Sequence, residues 1–311
     1  MRIKELEYHS PSSLIQACRL LKSGGSGAKI LAGGTDILPD LKKGRISAAS
    51  LISLARLNEL KKIEGEAERH NSGSRQSSAR FHPSTLYPLP STLLLGPLVT
   101  PNMLAGSELV RRIFPGLSEA AGSMAANQIR NLATIGGNLC SAVPSADLPP
   151  VLLTVEAELF LTSHAGERRL PLRDFFLGPR RTAIRRTEIL TGILIPKLPR
   201  GTGTAYERFQ ARDASALAIA ASAARLTVKG GKIVKALVAI GACAPTPLLI
   251  EAVGGLLTGK EPSEQNFARA GELAAQCVKP IIDIRGCEQY RREICRVLTI
   301  RALKRAFQKA V

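Results

Sequence analysis

Two pairs of adjacent glycines are the residues of this sequence best suited to hold a ligand. Each pair directly follows a short apolar run and is predicted to lie in a glycine-rich loop, at residues 33–36 and 136–138. Glycine lets backbone N–H groups converge on an anion and lets a ligand approach the backbone closely. Thr35 and Asn138 would add side-chain donors. The two segments therefore favour a phosphate site, and the plain alternative is that each pair marks only a turn.

Neither segment has the spacing of a common nucleotide-binding motif. The Rossmann pattern G-x-G-x-x-G and the P-loop pattern G-x-x-x-x-G-K-[ST] are absent around both glycine pairs. The six cysteines are scattered and form no C-x-x-C pair, so the ligand grouping of a zinc or cluster site is missing as well. We therefore expect no metal in this chain, and no side chain is identified as catalytic.

The composition is that of a folded and strongly basic protein. Of the 311 residues, 45% are hydrophobic and 22% charged, which allows one large domain or two ordinary ones and excludes collagen and wholesale disorder. Lys and Arg number 43 against 25 Asp and Glu, a net charge of +18. Nucleic acid, an acidic partner subunit and a phosphate-bearing cofactor are all candidates. The aromatic fraction of 4%, with no Trp, disfavours stacking on single-stranded bases.

The start of the chain and its uncharged stretches carry no targeting or membrane signal. The first ten residues, MRIKELEYHS, contain no apolar core of a signal peptide. The longest uncharged stretch is interrupted by prolines, and the next is too short to span a bilayer. Together with the scattered cysteines, this predicts reduced thiols and a cytoplasmic protein without a membrane span.

Hydrophobic periodicity predicts a change of architecture near residue 200. Ser10 is the predicted N-cap of a helix over residues 10–23, and strands are predicted over 29–32 and 49–54. Alternation over 158–196 indicates antiparallel strands, and residues 66–90 read as an extended surface excursion or, alternatively, a hairpin. A linker at 196–203 ends this first part of the chain. After it the sequence predicts a hairpin that turns at VKGGK and then helices over 248–257, 263–278 and 288–310.

The residues around the glycine pairs resemble a known family. KILAGGTDILPDLKKG is followed about a hundred residues later by QIRNLATIGGNLCSAVPSADLPPVLL, and the likeness continues through EILTGILIP, AYERFQAR and VKPIIDIRGCEQYRREICRVLTIRAL. These segments look like the FAD-binding (medium) subunit of the molybdenum hydroxylases, the family of carbon monoxide dehydrogenase and xanthine dehydrogenase. The resemblance covers nearly the whole chain, and the order and separation of the two glycine motifs carry most of it.

The resemblance implies that both glycine motifs hold FAD, at its pyrophosphate and ribityl chain. The residues that match the first motif are Ile30, Leu31, Ala32, Gly33, Gly34, Thr35, Asp36 and Ile37. Those that match the second are Thr134, Ile135, Gly136, Gly137 and Asn138. In physical terms, we expect the phosphates to lie on backbone amides, with glycines removing side chains that would collide with them.

Five further residues match positions that contact the cofactor in the family. Asp147 matches an acidic ligand to its polar part, with a helix N-cap as the alternative. Leu190 matches an apolar residue at the adenine or flavin edge. Arg208 replaces a lysine near the polar edge of the ring, where a cation stabilises reduced flavin, unless it is only a surface cation. Leu217 matches the cover of the isoalloxazine face, with a core residue as the alternative. Met124 stands where relatives place an aromatic residue.

The implied fold class is α+β. A two-subdomain FAD-binding domain of the PCMH type would occupy residues 1–178, with subdomains at 1–56 and 57–178 and a surface insertion near 66–90. A C-terminal domain of an antiparallel sheet packed with helices would occupy 203–311. Because each subdomain contributes one glycine motif, the cofactor is expected in the cleft between them.

The implied function is electron transfer within a heteromeric oxidoreductase. FAD would take electrons from the [2Fe–2S] clusters of an iron–sulfur subunit and pass them to NAD⁺, a quinone or oxygen, while a molybdopterin-binding subunit performs the hydroxylation. Ala216 stands where many relatives hold an acidic residue, which leaves the acceptor open. A stand-alone FAD-dependent oxidoreductase remains an alternative, as does a basic nucleic-acid-binding protein, which only the charge supports.

The C-terminal segment is far more basic than solubility requires. We interpret it as a surface that steers acidic partner subunits into the complex, with a solvated helix face as the alternative. The cations concerned are Arg285, Arg291, Arg292, Arg296, Arg301, Lys304 and Arg305.

Overall fold

A small parallel sheet forms the first subdomain of the computed structural model, which describes residues 5–65, 93–212 and 216–311. Its strands are β1 (Glu7–His9), β2 (Ala28–Leu31) and β3 (Ser50–Ser53), and β3 lies in the middle, parallel to both neighbours. Helix α1 (Leu14–Ser23) connects β1 to β2, and helix α2 (Ile37–Lys42) follows the first glycine pair. The excursion predicted at 66–90 lies outside the described residues.

Helix α1 begins later than the sequence pattern predicts. The hydroxyl of Ser13 accepts a hydrogen bond from the N–H of Gln16 (3.3 Å), and the Gln16 side chain in turn accepts from the N–H of Ser12 (3.0 Å). This reciprocal pair resembles a capping box. Ser13 is therefore the N-cap and the predicted cap at Ser10 is wrong, because the sequence offers three serines and only the final fold selects among them.

An antiparallel sheet forms the second subdomain. Its strands are β4 (Ile63–Glu64), β5 (Leu93–Leu95), β6 (Glu158–Ser163), β7 (Gly166–Pro171) and β10 (Ile189–Ile195), with the small ribbon β8 (Phe176–Gly178) and β9 (Arg181–Thr182) before β10. The strand order is β4-β5-β10-β6-β7. All of β10 is buried, and its central position means that the sheet extends past residue 178, the predicted end of the FAD-binding domain.

Short helices cover one face of this sheet. They are α3 (Pro101–Gly106), α4 (Glu108–Ile113), α5 (Pro115–Ser123), α6 (Asn127–Leu132), α7 (Ile135–Ser141) and α8 (Leu148–Thr154). Phe114, Leu139 and Leu152 pack with Leu95 and Ile193 of the sheet into one core. The second glycine pair lies in the first turn of α7, so the prediction of a glycine-rich loop there is wrong. Glycine has a low helix propensity, and packing overrides that preference here.

The C-terminal domain is a meander of four antiparallel strands backed by helices. The strands are β11 (Thr202–Gln210), β12 (Ala218–Lys229), β13 (Lys232–Gly241) and β14 (Leu248–Leu249), and the helices are α9 (Glu251–Leu257), α10 (Glu264–Cys277) and α11 (Glu288–Gln308). The predicted hairpin is confirmed, since Gly230 and Gly231 turn with φ of +57° and +74° between β12 and β13. No helix in the described part of the chain is long and apolar enough to cross a membrane.

Strand β12 is buried on both faces because its side chains are small. Ala221 and Ala223 join the core of the FAD-binding half, whereas Ala220 and Ala224 face the core beneath α11. Alternating side chains of a strand point to opposite faces, and alanines let a layer of helices approach on each side. On the first face, buried Arg225 donates to Glu156 (2.8 Å) at the end of α8. Strand β12 therefore contributes side chains to the cores of both halves of the molecule.

Gly203 allows the C-terminal helix to lie directly against β11. A Cβ at this position would be 2.0 Å from the carbonyl oxygen of Ala306 and 2.7 Å from the backbone nitrogen of Ala310. Both neighbours are backbone atoms, which cannot rotate away. The contact requires the absence of a side chain at this position in β11.

We expect Gly203→Ala to lower the free energy of unfolding by about 3 kcal/mol, because helix α11 must move to admit the methyl group. Gly255→Ala is the matched control, since Gly255 is an exposed residue of α9 with open space around it. That substitution should raise the free energy of unfolding by about 0.5–1 kcal/mol. Urea unfolding measures both, and equal effects would contradict this account of the contact.

Candidate functional site

A cleft of about 700 Å³ lies between the two subdomains. The end of β2 and the start of α2 form one wall, and α7 with the loop before α8 forms the other. Ala216 and Leu217, just before β12, close one end from the C-terminal domain. This volume falls within the range of small-molecule sites, about 300–1,000 Å³, and all three parts of the chain contribute to it.

The first glycine motif offers unused backbone donors to the cleft. The N–H groups of Gly33, Gly34 and Thr35 donate to no acceptor among the described residues, and all three residues line the cleft. Gly34 has a φ of +76°, a conformation that favours glycine and that helps successive amides to converge. This segment has the donor set of an anion site, as the sequence predicts.

The second glycine motif differs, because its amides are bonded within the protein. The N–H of Ile135 donates to Val99 (2.9 Å) and that of Gly136 donates to Pro97 (2.9 Å). The N–H of Gly137 donates to the hydroxyl of Thr134 (3.1 Å), the N-cap of α7. These three amides are therefore already bonded within the protein, and a phosphate contact at this motif stays a prediction.

What the second motif gives the cleft is open space and one unpartnered polar atom. A Cβ on Gly137 would meet only the hydroxyl of Thr134, at 2.9 Å. The Oδ1 atom of Asn138 is buried and has no hydrogen-bond partner among the described residues. Because such atoms are costly to leave unpaired, the Asn138 side chain has a hydrogen bond left for a ligand.

Gly33 and Gly136 are required by the protein's own packing. A Cβ on Gly33 would lie 1.9 Å from the carbonyl oxygen of Leu132, immediately before the second motif. A Cβ on Gly136 would lie 2.6 Å from the Cβ of Pro97. The expectation that these two glycines are there to spare a phosphate is replaced by a structural reason: they let the walls of the cleft touch.

Two polar bridges join the walls of the cleft. The hydroxyl of Ser141 in α7 donates to Asp36 (2.5 Å) ahead of α2, and the guanidinium of Arg180 donates to Asp40 (2.6 Å) within α2. Arg45 reaches the other oxygen of Asp40 at 3.2 Å. Burial alone would raise the pKa of Asp40, but the hydrogen bonds and charges of Arg180 and Arg45 outweigh it and hold the pKa below its ordinary value. Asp40 is therefore ionised at neutral pH and binds both arginines.

A buried acid–base cluster supports the end of the cleft near Leu217. The hydroxyl of Tyr206 donates to Asp147 (2.7 Å), and the Nε atom of Arg208 lies 3.3 Å from the same carboxylate oxygen. Burial raises the pKa of Asp147, while the charge of Arg208 and the Tyr206 hydroxyl oppose that rise. Burial and the neighbouring carboxylate raise the pKa of Tyr206 well above its ordinary value, so it remains a donor. Asp147 is also the N-cap residue of α8, as the alternative has it, but its side chain makes no capping bond there.

Arg208 lies behind the wall of the cleft. Its guanidinium donates to the carbonyl oxygens of Ser123 and Ala216 in addition to facing Asp147. It does not line the cleft, so both the predicted contact with the ring edge and the alternative of a surface cation disagree with its position. Arg208 instead ties together three segments that end at the cleft.

Most of the residues predicted from the sequence line the cleft. They are Ile30, Ala32, Gly33, Gly34, Thr35, Asp36, Ile37, Met124, Thr134, Gly136, Gly137, Asn138, Asp147, Leu190 and Leu217. Besides Arg208, the structure leaves Leu31 and Ile135 out of the lining; Ile135 is fully buried in the core. The first and second motifs are thus brought to opposite walls of one site.

The sequence reasoning missed a group of charged residues and one thiol. Lys29, Asp40, Arg180, Arg185, Arg186 and Glu188 line the cleft, as does Cys140. The run PRRTAIRRTE carries most of these charges and could have been noticed as a basic segment between strands. Burial raises the pKa of the Cys140 thiol to about 12, so it stays protonated.

The charged residues of the cleft differ in their partners. Glu188 accepts two hydrogen bonds from Arg168, at 2.7 and 2.9 Å, whereas Arg186 has no ion pair among the described residues.

Comparison with known proteins places this chain in a family. Residues 4–87 and 89–198 match the model of the FAD binding domain in molybdopterin dehydrogenase, and residues 204–306 match that of the CO dehydrogenase flavoprotein C-terminal domain. The chain belongs to the family of FAD-binding medium subunits of molybdenum hydroxylases. Its cofactor is FAD, and it is a subunit of an oxidoreductase of the carbon monoxide and xanthine dehydrogenase type.

Named relatives match over nearly their whole lengths. The carbon monoxide dehydrogenase medium chain of Afipia carboxidovorans is 32% identical, with 98% of this chain and 97% of that one covered. The xanthine dehydrogenase FAD-binding subunit of Escherichia coli O157:H7 is 27% identical, with 97% and 96% covered. A solved chain of carbon monoxide dehydrogenase from Hydrogenophaga pseudoflava superimposes with a TM-score of 0.87 at 31% identity and 99% coverage of both chains. The resemblance to this family and the α+β fold are confirmed.

The pH dependence of stability tests the Asp40 bridge. We expect Asp40→Asn to lower the free energy of unfolding by about 1 kcal/mol at pH 7, because both arginines are half-exposed and lose a partially screened partner. The folded-state pKa is depressed, so this contribution is present above about pH 4 and is lost as the pH falls through the folded value. The difference between variant and wild type should shrink progressively in urea unfolding as the pH is lowered below about 4. Glu261→Gln is the control, because it removes an exposed charge that has no ion pair with the described residues, and a difference independent of pH would contradict the assignment.

Proposed function

We propose that this chain holds FAD in the cleft between its subdomains and serves as the electron-transfer subunit of a molybdenum hydroxylase complex. Electrons would arrive from the [2Fe–2S] clusters of an iron–sulfur subunit and leave to NAD⁺, a quinone or oxygen. A molybdopterin-binding subunit would complete the complex. The observation that supports this most is one cleft bounded by both glycine motifs, with unused donors on one wall and open space on the other.

The residues of the cleft fit a dinucleotide. A pyrophosphate would find the N–H groups of Gly33, Gly34 and Thr35 and the guanidinium of Arg186, none of which is bonded or ion-paired to a described residue. Together these groups favour an anion. On the opposite wall, the unpartnered side chain of Asn138 can bond a polar group. On this basis we assign a cofactor-binding role to all the sequence-predicted residues that line the cleft.

Apolar and buried polar groups complete the fit. Ile30, Leu190 and Leu217 line the cleft as aliphatic surface, which suits the ring systems of a cofactor. Asp147 lines the same cleft, and Tyr206 and Arg208 fix its carboxylate. We infer that Arg208 acts through Asp147 and the backbone of Ala216, as a positioning residue.

When bound, FAD supplies the redox chemistry, and the protein supplies binding and orientation. No side chain of this chain is assigned a catalytic role. The protonated thiol of Cys140 is a poor nucleophile, which favours a non-covalently held cofactor. The relatives named medium chain or subunit support a complex of several chains, and the free thiols of the described cysteines support the cytoplasm.

Gly137→Val should abolish FAD binding while changing the free energy of unfolding by only about 1 kcal/mol. The added side chain enters the open space of the cleft and otherwise disturbs only the Thr134 cap. Flavin released by acid precipitation, identified by chromatography, gives the occupancy, and in the wild type all of it should be FAD. Gly106→Val is the control, because Gly106 is exposed in α3 with open space around it. Full occupancy in Gly137→Val, or FMN in the wild type, would contradict the placement.

Electron transfer can be tested with the iron–sulfur subunit that co-purifies with this chain. After reduction and removal of reductant, that subunit should bleach the visible absorbance of the FAD-loaded chain under anaerobic conditions. An organic substrate oxidised by this chain alone would instead favour the stand-alone oxidoreductase. A complex that forms without any bleaching would argue against the electron-transfer role.

A further inference from the structure

The basic C-terminal segment does not present the free charge that its sequence suggests. Nearly every cation in it has an anionic partner within the chain: Arg285 with Asp283, Arg292 with Glu288, Arg296 with Glu293, Lys304 with Glu264, and Arg305 with Glu119 and Glu207. Arg291 is buried, at 2% exposure. Among the seven, Arg301 alone lacks an ion pair with the described residues. The interpretation of this segment as an electrostatic docking surface is therefore wrong.

The loop before this segment instead exposes a group of apolar side chains, here called the isoleucine loop (residues 279–286). Ile281 is 69% exposed, Ile282 is 75% exposed and Ile284 is fully exposed. Apart from the terminal Val311, these are the most exposed large apolar side chains of the described residues. Scattered exposed apolar residues are ordinary, but three in one turn are characteristic of an interaction site.

The isoleucine loop is held in a fixed shape. The buried guanidinium of Arg291 donates to the carbonyl oxygen of Ile281 (2.9 Å), and the carboxylate of Asp283 accepts from both the N–H and the side chain of Arg285 (2.8 Å each). The backbones of Asp283 and Gly286 close the turn (3.1 Å). A buried cation is thus used to hold an apolar turn in water. Such preorganisation lowers the entropy lost when a partner binds.

The loop is anchored beside the cleft. The N–H of Lys279 donates to the carbonyl oxygen of Cys243, just after β13 (2.9 Å). The thiol of Cys243 in turn donates to the carbonyl oxygen of Ile219 (3.4 Å). Ile219 lies at the start of β12, two positions after Leu217, which lines the cleft. The isoleucine loop and the Leu217 wall therefore lie at the same end of the four-stranded sheet.

We propose that Ile281, Ile282 and Ile284 form the docking site for the iron–sulfur subunit that exchanges electrons with the cofactor. The proposal rests on the proposed function and adds the surface at which the partner binds. A partner seated there lies at the cleft end of the sheet, as electron exchange requires. Lys279 is exposed and has no ion pair among the described residues, and the chain carries +18. An apolar depression with an acidic rim is therefore the matching surface, and a second copy of this basic chain is repelled.

The test compares two triple variants of the full-length, FAD-loaded chain. The first is Ile281→Ser, Ile282→Ser, Ile284→Ser. The control is Ile15→Ser, Ile113→Ser, Val234→Ser, which removes exposed apolar side chains elsewhere. Calorimetric titration with the purified iron–sulfur subunit should give a Kd at least tenfold higher for the first variant and unchanged for the control. FAD content should equal the wild type in both, and the urea midpoint should equal the wild type in the isoleucine variant.

Several results would overturn the proposal. They are a Kd within twofold of wild type in the isoleucine variant, an equal loss in the control, or no binding by the wild type. Sedimentation of the wild type as a dimer that the isoleucine variant abolishes would assign the surface to self-association instead.

A second measurement is the rate at which the reduced partner reduces FAD in the isoleucine variant. This rate should recover to the wild-type value at saturating partner concentration. A wild-type chain that contains no FAD would contradict the proposed function. This outcome is distinguishable from failure of the docking site, which changes the Kd and leaves the FAD content unchanged.

Discussion

The contact between Gly33 and the carbonyl oxygen of Leu132 is the constraint on which the cleft depends. It brings the end of a parallel strand against the segment that leads into α7, with no room for even a methyl group. Because the walls meet there, the remaining surfaces of the two motifs face a common space. The bridges from Ser141 to Asp36 and from Arg180 to Asp40 then hold the same two walls farther along α2.

The two glycine motifs look alike in sequence but do different work. The first keeps its amides unbonded, so it can offer donors to an anion. The second uses its amides to attach α7 to Pro97 and Val99, and it contributes the empty volume above Gly137 and the side chain of Asn138. The difference follows from position: the first motif leaves a strand at its exposed end, whereas the second begins a helix that packs into the core.

Several cations of this basic chain are buried inside the fold. Arg208 and Arg225 are buried cations, and each faces a carboxylate that is distant in sequence. Arg291 is also buried and faces Asp283, in the loop just before its own helix. Burying a cation is costly unless it is paired, so these residues secure one relative arrangement of the packed parts. Arg208 does this beside the cleft, and Arg291 does it beneath the isoleucine loop.

The sequence by itself determined the family, the FAD cofactor, the α+β class and the β12–β13 hairpin, because these rest on local motifs and on periodicity. It also named most of the cleft lining. It placed Ser10 as a helix cap, Arg208 at the ring edge and the second motif in a loop, and each of these was wrong for a tertiary reason. The choice of cap, the partner of a buried guanidinium and the acceptors for the amides of α7 all depend on atoms that come close only when the chain has folded. The contact between Arg180 and Asp40 likewise could not be predicted from the sequence, because the two residues are 140 positions apart.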